Sequence, residues 1–105
     1  MIYQIGKNAL DNWRIWKDAS PTATIFHLDS FSSPYVITDK GVDELEKEEI
    51  LFLAKECLAH SKYKNMYNIK VLYTAKLNTV LGENPGSFII KSNKKKYIIC
   101  LYLRI

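Results

Sequence analysis

The chain has 105 residues, one domain's worth, and its 48% apolar and 25% charged residues exclude a disordered polyelectrolyte while permitting one core without staples. No run reaches the length of a transmembrane span, and Met1 leads straight into Ile2-Tyr3-Gln4-Ile5 without the basic and apolar segments of a secretory leader, so a cytoplasmic protein with no membrane partner is expected. The net charge of +4 is segregated: residues 1–61 carry six Lys/Arg and ten Asp/Glu, whereas residues 62–105 carry nine Lys/Arg and one acid, Glu83. Such a division predicts an electropositive face and an anionic partner.

In chain order, residues 2–5 predict a short strand, and Gly6-Lys7-Asn8 a turn into a helix. Asn8 is a good N-cap, with Asp11 three residues on where a capping-box acid sits. Ala9, Leu10, Trp13 and Trp16 recur at helical spacing and predict the apolar side of that helix, which Ser20-Pro21 ends. Two strands follow, over residues 24–28 and 35–38. Alternation puts Phe26 and Leu28 on one face of the first, Ile25 and His27 on the other. Asp39-Lys40-Gly41 turns into a helix expected over residues 43–61, with Asp43 and Glu46 as a cap pair and Glu44, Glu48 and Glu49 at the positive end of its dipole. Its buried side is predicted as Ile50, Leu53, Ala54, Cys57, Leu58 and Ser61. Residues 69–73, 87–91 and 97–103 read as strands, with Asn84-Pro85-Gly86 before the second and Ser92-Asn93-Lys94-Lys95 before the third. The near-continuous apolar run over 97–103 predicts a central strand covered on both faces. The order β-α-β-β-α-β-β-β predicts an α+β domain spanning 1–105, with a mixed or antiparallel sheet and two helices packed on it.

Nothing near Cys57 or Cys100 has metal-ligand spacing, and both are expected as buried free thiols. His27 and Asp29 form a His-x-Asp pair at a strand end. Acid–base chemistry needs such a histidine oriented by a carboxylate, but no nucleophile or metal triplet accompanies it, so a structural or binding role is expected. Gly6-Lys7-Asn8 places a cation before a helix N-terminus, where free backbone N–H groups can hold phosphate, although many helices begin this way. The larger feature is the set Lys62, Lys64, Lys70, Lys76, Lys91, Lys94, Lys95, Lys96 and Arg104. These suit counterion release along a phosphate backbone, and Tyr35, Tyr63 and Tyr67 lie near them as candidate stacking rings. The bland alternative is a lysine-rich solvated edge. Thirteen lysines against two arginines favour backbone contacts over bidentate base reading.

Three blocks together resemble the NFACT-R family of RNA-binding domains. Ile5-Gly6-Lys7-Asn8-Ala9-Leu10-Asp11-Asn12 is similar to its opening signature of a glycine, a basic residue and an asparagine, with a second asparagine four residues on. Phe26-His27-Leu28-Asp29 followed by Ser32-Ser33-Pro34-Tyr35-Val36-Ile37 resembles its Phe-His-Val and Ser-x-His-Val block. Ala59-His60-Ser61-Lys62, Val71-Leu72-Tyr73-Thr74 and Asn84-Pro85-Gly86 are similar to its closing third. The match runs from about residue 3 to 103. Thr24-Ile25 stand where the family usually has an acid and a tryptophan, Tyr35 replaces the second histidine, and Leu81 replaces a basic residue.

The resemblance implies a non-catalytic module, without metal or other cofactor, that binds structured RNA (tRNA or ribosomal RNA) and is connected with the ribosome and its quality control. DNA is the alternative nucleic acid, and a protein-interaction adaptor the alternative function. By position the resemblance points to Lys7, Asn8, Asn12, His27, Ser33, Ser61, Lys62 and Lys76. Lys7, Lys62 and Lys76 are expected on phosphates, and the Asn, Ser and His side chains on nucleotide or ordering the site. Tyr35 and Lys64 complete the expected nucleic-acid contacts.

Overall fold

Alternation along the segment Thr24–Leu28 divides the core in two, because successive strand side chains face opposite ways. The computed structural model describes residues 1–101. Its elements are β1 (Tyr3–Ile5), α1 (Ala9–Asp18), β2 (Thr24–Leu28), β3 (Val36–Thr38), α2 (Lys47–Ala59), β4 (Ile69–Ala75), β5 (Thr79–Leu81), β6 (Phe88–Ile90) and β7 (Tyr97–Leu101). Five strands form a sheet in the order β1-β3-β2-β4-β7, and β5 pairs with β6 in a separate hairpin. Every pairing is antiparallel. The α+β class is as expected, with β5 as an additional strand.

Phe26 and Leu28 face α2, where they join Val36, Leu53, Cys57, Leu58 and Val71 in one buried cluster. Ile25 faces α1 and is buried with Ile15, Ala23, Tyr35 and Ile37. The helices therefore lie on opposite faces of the sheet. On the α2 face the paired residues Phe26, Tyr73 and Tyr97 stack across three strands, with ring centroids 5.0 and 5.3 Å apart. On the other face α1 covers β1, β3 and β2, about as far as a helix roughly 10 Å wide reaches across strands about 4.8 Å apart. The hairpin, through Phe88 and Ile90, approaches the remainder.

Four expectations change. The side of α1 turned to the sheet centres on Asn12 and Ile15, with Trp13 and Trp16 half-buried, while Leu10 is 69% exposed. The helix expected from residue 43 begins at Lys47. The acidic run instead closes two turns: Glu44 accepts the Gly41 N–H at 2.8 Å around a 3-10 turn, and Glu49 accepts the Glu46 N–H at 2.9 Å to start α2. The strand expected to be central is an edge, since β7 pairs with β4 alone among the described residues. Its Ile99 and Leu101 pack toward α2, which accounts for the apolar run, but Ile98 on the other face is 44% exposed. Cys100 is accordingly only half-buried, whereas Cys57 is buried. Residues 102 and 103 of that expected strand, and Arg104 of the basic set, lie outside the described residues.

Candidate nucleic-acid interface

A groove of about 380 Å³ opens where the start of α1, the β2–β3 loop, the end of α2 and the tip of the hairpin meet. Of the expected residues, Lys7, Asn8, Asn12, His27, Ser33, Ser61 and Lys62 all line it, although they are spread over more than half of the sequence. His60, Ser32, Pro85 and Gly86 also line it, with Gly6, Ala9 and Pro34, and the lining contains no Asp or Glu.

The cap of α1 places the first residues. Asn8 has extended backbone and its Oδ1 accepts the Asp11 N–H at 2.9 Å. Asp11 returns the contact one residue early, accepting from the Lys7 N–H at 2.9 Å rather than from that of Asn8. Its other oxygen is paired with Arg14 at 2.7 Å. These hydrogen bonds, Arg14 first and then the Lys7 N–H, hold the Asp11 carboxyl below its ordinary pKa. The acid that opposes an anion at this helix end is thus engaged by the chain itself. Lys7 and Lys62 are exposed and make no ion pair among the described residues; Lys62 Nζ lies 5.4 Å from the centre of the Tyr63 ring.

Asn12, Ser33 and Ser61 build the walls. Asn12 Oδ1 accepts the buried Tyr35 N–H at 3.0 Å, while Gly6 N–H donates to Tyr35 O at 2.9 Å. A Cβ on Gly6 would collide with Asn12 Oδ1, so the glycine is what lets the carboxamide reach β3. Ser33 Oγ accepts the Leu28 N–H at 3.1 Å and donates to Pro34 O at 3.0 Å. Ser61 Oγ donates to Leu58 O at 2.7 Å and accepts the Tyr63 N–H at 3.1 Å, closing the end of α2. Of the two roles expected for these side chains, ordering the site is the one their bonds describe. Gly86, with φ of +85°, fixes the hairpin tip. A Cβ there would meet Ala9 Cβ at 2.8 Å, so the tip rests directly on α1.

His27 is half-buried, and its Nδ1 lies 2.7 Å from Leu28 O. A carbonyl oxygen can only accept, so Nδ1 carries the proton and Nε2 is left as an acceptor. Desolvation lowers its pKa, partly opposed by the Leu28 carbonyl and the Asp29 charge. Burial therefore favours the neutral ring, and Asp29 acts on it through space without a hydrogen bond. Among the described residues no group of three His, Cys, Asp or Glu side chains is placed to hold a metal ion.

Three expected contacts do not reach the groove. Tyr35 is fully buried, its ring 5.8 Å from that of His27 and 5.3 Å from that of Phe88, so it cannot stack on a base. Its hydroxyl has no hydrogen-bond partner among the described residues. Lys76 donates to Ala19 O at 2.6 Å and sits 4.4 Å over the Trp16 ring, tying the chain before β5 to the far end of α1, about 16 Å from Asn8 by helical rise. Lys64 borders a separate apolar hollow between α2 and β7. Ser32, His60 and the hairpin tip stand within the resembling blocks but not among the expected contacts, and the turn signal at Asn84-Pro85-Gly86 gives no hint of the helix end it touches.

Fold and groove together define an α+β domain with a basic cleft, free of carboxylates in its lining, at one end of its sheet. Neither a family model nor a curated protein matches the chain. Among solved structures it is similar to the C-terminal part of a fibronectin/fibrinogen-binding protein from Streptococcus suis, with a TM-score of 0.79 and 20% identity. That likeness extends over 95% of this chain and 40% of the other, and it shows the fold. Among the described residues no helix is long and apolar enough to cross a membrane.

Proposed function

We propose that this chain is an RNA-binding module of the NFACT-R kind, which holds structured RNA, tRNA or ribosomal RNA, by its phosphates in the cleft. The observation that carries the reading is the convergence of Lys7 and Lys62 on a groove with no carboxylate in its lining. Two unpaired ammonium groups facing one concave surface attract a polyanion, and lysines contact phosphate without selecting sequence. Among the described residues Asn8 Nδ2, Asn12 Nδ2 and His27 Nε2 have no hydrogen-bond partner, and they are available for hydrogen bonds to the same ligand. A ribosomal particle is a partner on the same terms. No catalytic step is assigned to the site.

Fluorescence anisotropy with tRNA, single-stranded RNA and duplex DNA tests this. RNA affinity is expected to fall steeply with salt, and Lys7→Ala/Lys62→Ala to flatten the log K against log salt slope by about 1.4–1.8. Salt-independent binding, or a double variant that binds like the wild type, refutes the reading. Preference for duplex DNA would transfer the groove to the other nucleic acid. The edge of β7, unpaired among the described residues and with Ile98 exposed, favours a second reading as a protein adaptor. A partner retained after nuclease treatment and lost on Ile98→Lys would support it.

A further inference from the structure

The cleft does not end at His27. Beyond that ring and the hairpin tip it continues into a second lobe of about 590 Å³, and the two lobes share His27, Ser32, Pro85 and Gly86. The second lobe exists because α1 is too narrow to cover the whole sheet. Leu72, paired with His27 across the β2–β4 ladder, lies in its lining, with Phe31 from the β2–β3 loop and Phe88 and Ile90 from the hairpin. Lys96 is the charged residue of this lobe, is exposed, and makes no ion pair among the described residues. The second lobe, like the first, has no Asp or Glu in its lining.

We infer that the apolar lobe receives an unpaired base of the bound RNA while the lysines hold the phosphates on either side of it. This rests on the RNA reading above and names the part of the RNA that is recognised. An apolar slot between cationic ends suits a chain that alternates a flat, weakly polar ring with an anionic link. A regular duplex turns its phosphates outward and its bases inward, so only an unstacked nucleotide presents both at once. His27 Nε2 stands at the junction as a fixed acceptor, matched to an N–H on the edge of a base.

The test compares an oligouridylate of about ten nucleotides, an abasic backbone of the same length and a blunt RNA duplex, each titrated against the wild-type chain. Insertion of one base predicts that the oligouridylate binds roughly tenfold or more tighter than the abasic strand. Ile90→Asp, which puts a carboxylate into the lobe, is expected to erase that difference. Lys96→Ala, at an exposed position that leaves the core intact, is expected to weaken both strands by a similar factor. Equal affinity for the oligouridylate and the abasic strand, with binding itself intact, overturns the base slot and leaves the phosphate reading standing. Absence of binding to all three, together with a flat tRNA titration, removes the RNA reading and this inference with it.

Discussion

Replacing Gly6 with alanine should damage the protein only because Asn12 is there. The Gly6 backbone is not in the left-handed region, so alanine is conformationally acceptable and the conflict is steric. The new methyl overlaps Asn12 Oδ1, which must leave the Tyr35 N–H it now satisfies at 3.0 Å. An orphaned buried donor costs about 1–3 kcal/mol, and relocating the carboxamide adds to this, so Gly6→Ala is expected to cost about 2–4 kcal/mol. Asn12→Ala leaves the same donor orphaned without the clash and should cost about 1–3 kcal/mol. In the double variant the residual contact is with Asn12 Cα at 3.1 Å, which a shift of a few tenths of an ångström relieves. Gly6→Ala in the Asn12→Ala background should therefore cost under about 1 kcal/mol, a coupling of roughly 1–3 kcal/mol. Urea denaturation of the four proteins measures the cycle, with thermal shifts of about 4–8 °C per kcal/mol as a second readout. Should Gly6→Ala alone prove too unstable to purify, its rescue by Asn12→Ala carries the same information. Costs that add within about 0.5 kcal/mol would refute the account of why glycine stands here.

Two further outcomes follow from side chains around the cleft. Lys76→Met removes the hydrogen bond to Ala19 O and the contact with Trp16, so stability should fall by about 1–2 kcal/mol while tRNA affinity stays at the wild-type value; an affinity loss like that of Lys7→Ala would restore Lys76 to the binding face. His27 has a pKa lowered from the ordinary 6.5 by burial, so as pH falls the unfolded chain takes up the proton first. The contribution is complete above about pH 6.5 and declines below it, with a slope of at most about 1.36 kcal/mol per pH unit that flattens once the folded-state pKa is passed. Urea midpoints of wild type and His27→Gln across that window should show the slope in the first protein alone. Wild-type stability that rises on acidification contradicts a ring whose charged form is disfavoured by burial.

The elements with local signals were legible in the sequence. Asn8 and Asp11 announce the start of α1, and alternation along β2 correctly divides Phe26 and Leu28 from Ile25. The errors have a shared cause: adjacency in sequence does not say which partner a polar or apolar group finds. Tyr-Ile-Ile-Cys-Leu over β7 is as apolar as a central strand, yet half-cover from α2 and the aromatic ladder suffices for it. The acids from Asp43 to Glu49 look like one helix start and serve two turns. Tyr35 stands in a motif beside site residues, but strand parity sets it with Ile37 toward α1, a constraint already readable from the apolar Ile37. Lys76 looks like one more surface cation until the Ala19 carbonyl is found beside it. For the cleft, the resemblance named seven residues that the fold brings to one groove, whereas telling the side chains bonded into the walls from those left open to the groove required the hydrogen bonds.

The lysine run that precedes β7 has a second duty. An open sheet edge invites another copy to add a strand, and flanking charge is a common deterrent. Lys94, Lys95 and Lys96 lead directly into the edge of β7 that is unpaired among the described residues, so one cluster both gives the second lobe its cation, Lys96, and sets charge beside an open edge. Neutralising these lysines to study the ligand therefore also removes a safeguard against strand-by-strand polymerisation. RNA bound as proposed would mask the same charges, so such a complex at high concentration would stand closer to that hazard than the free protein.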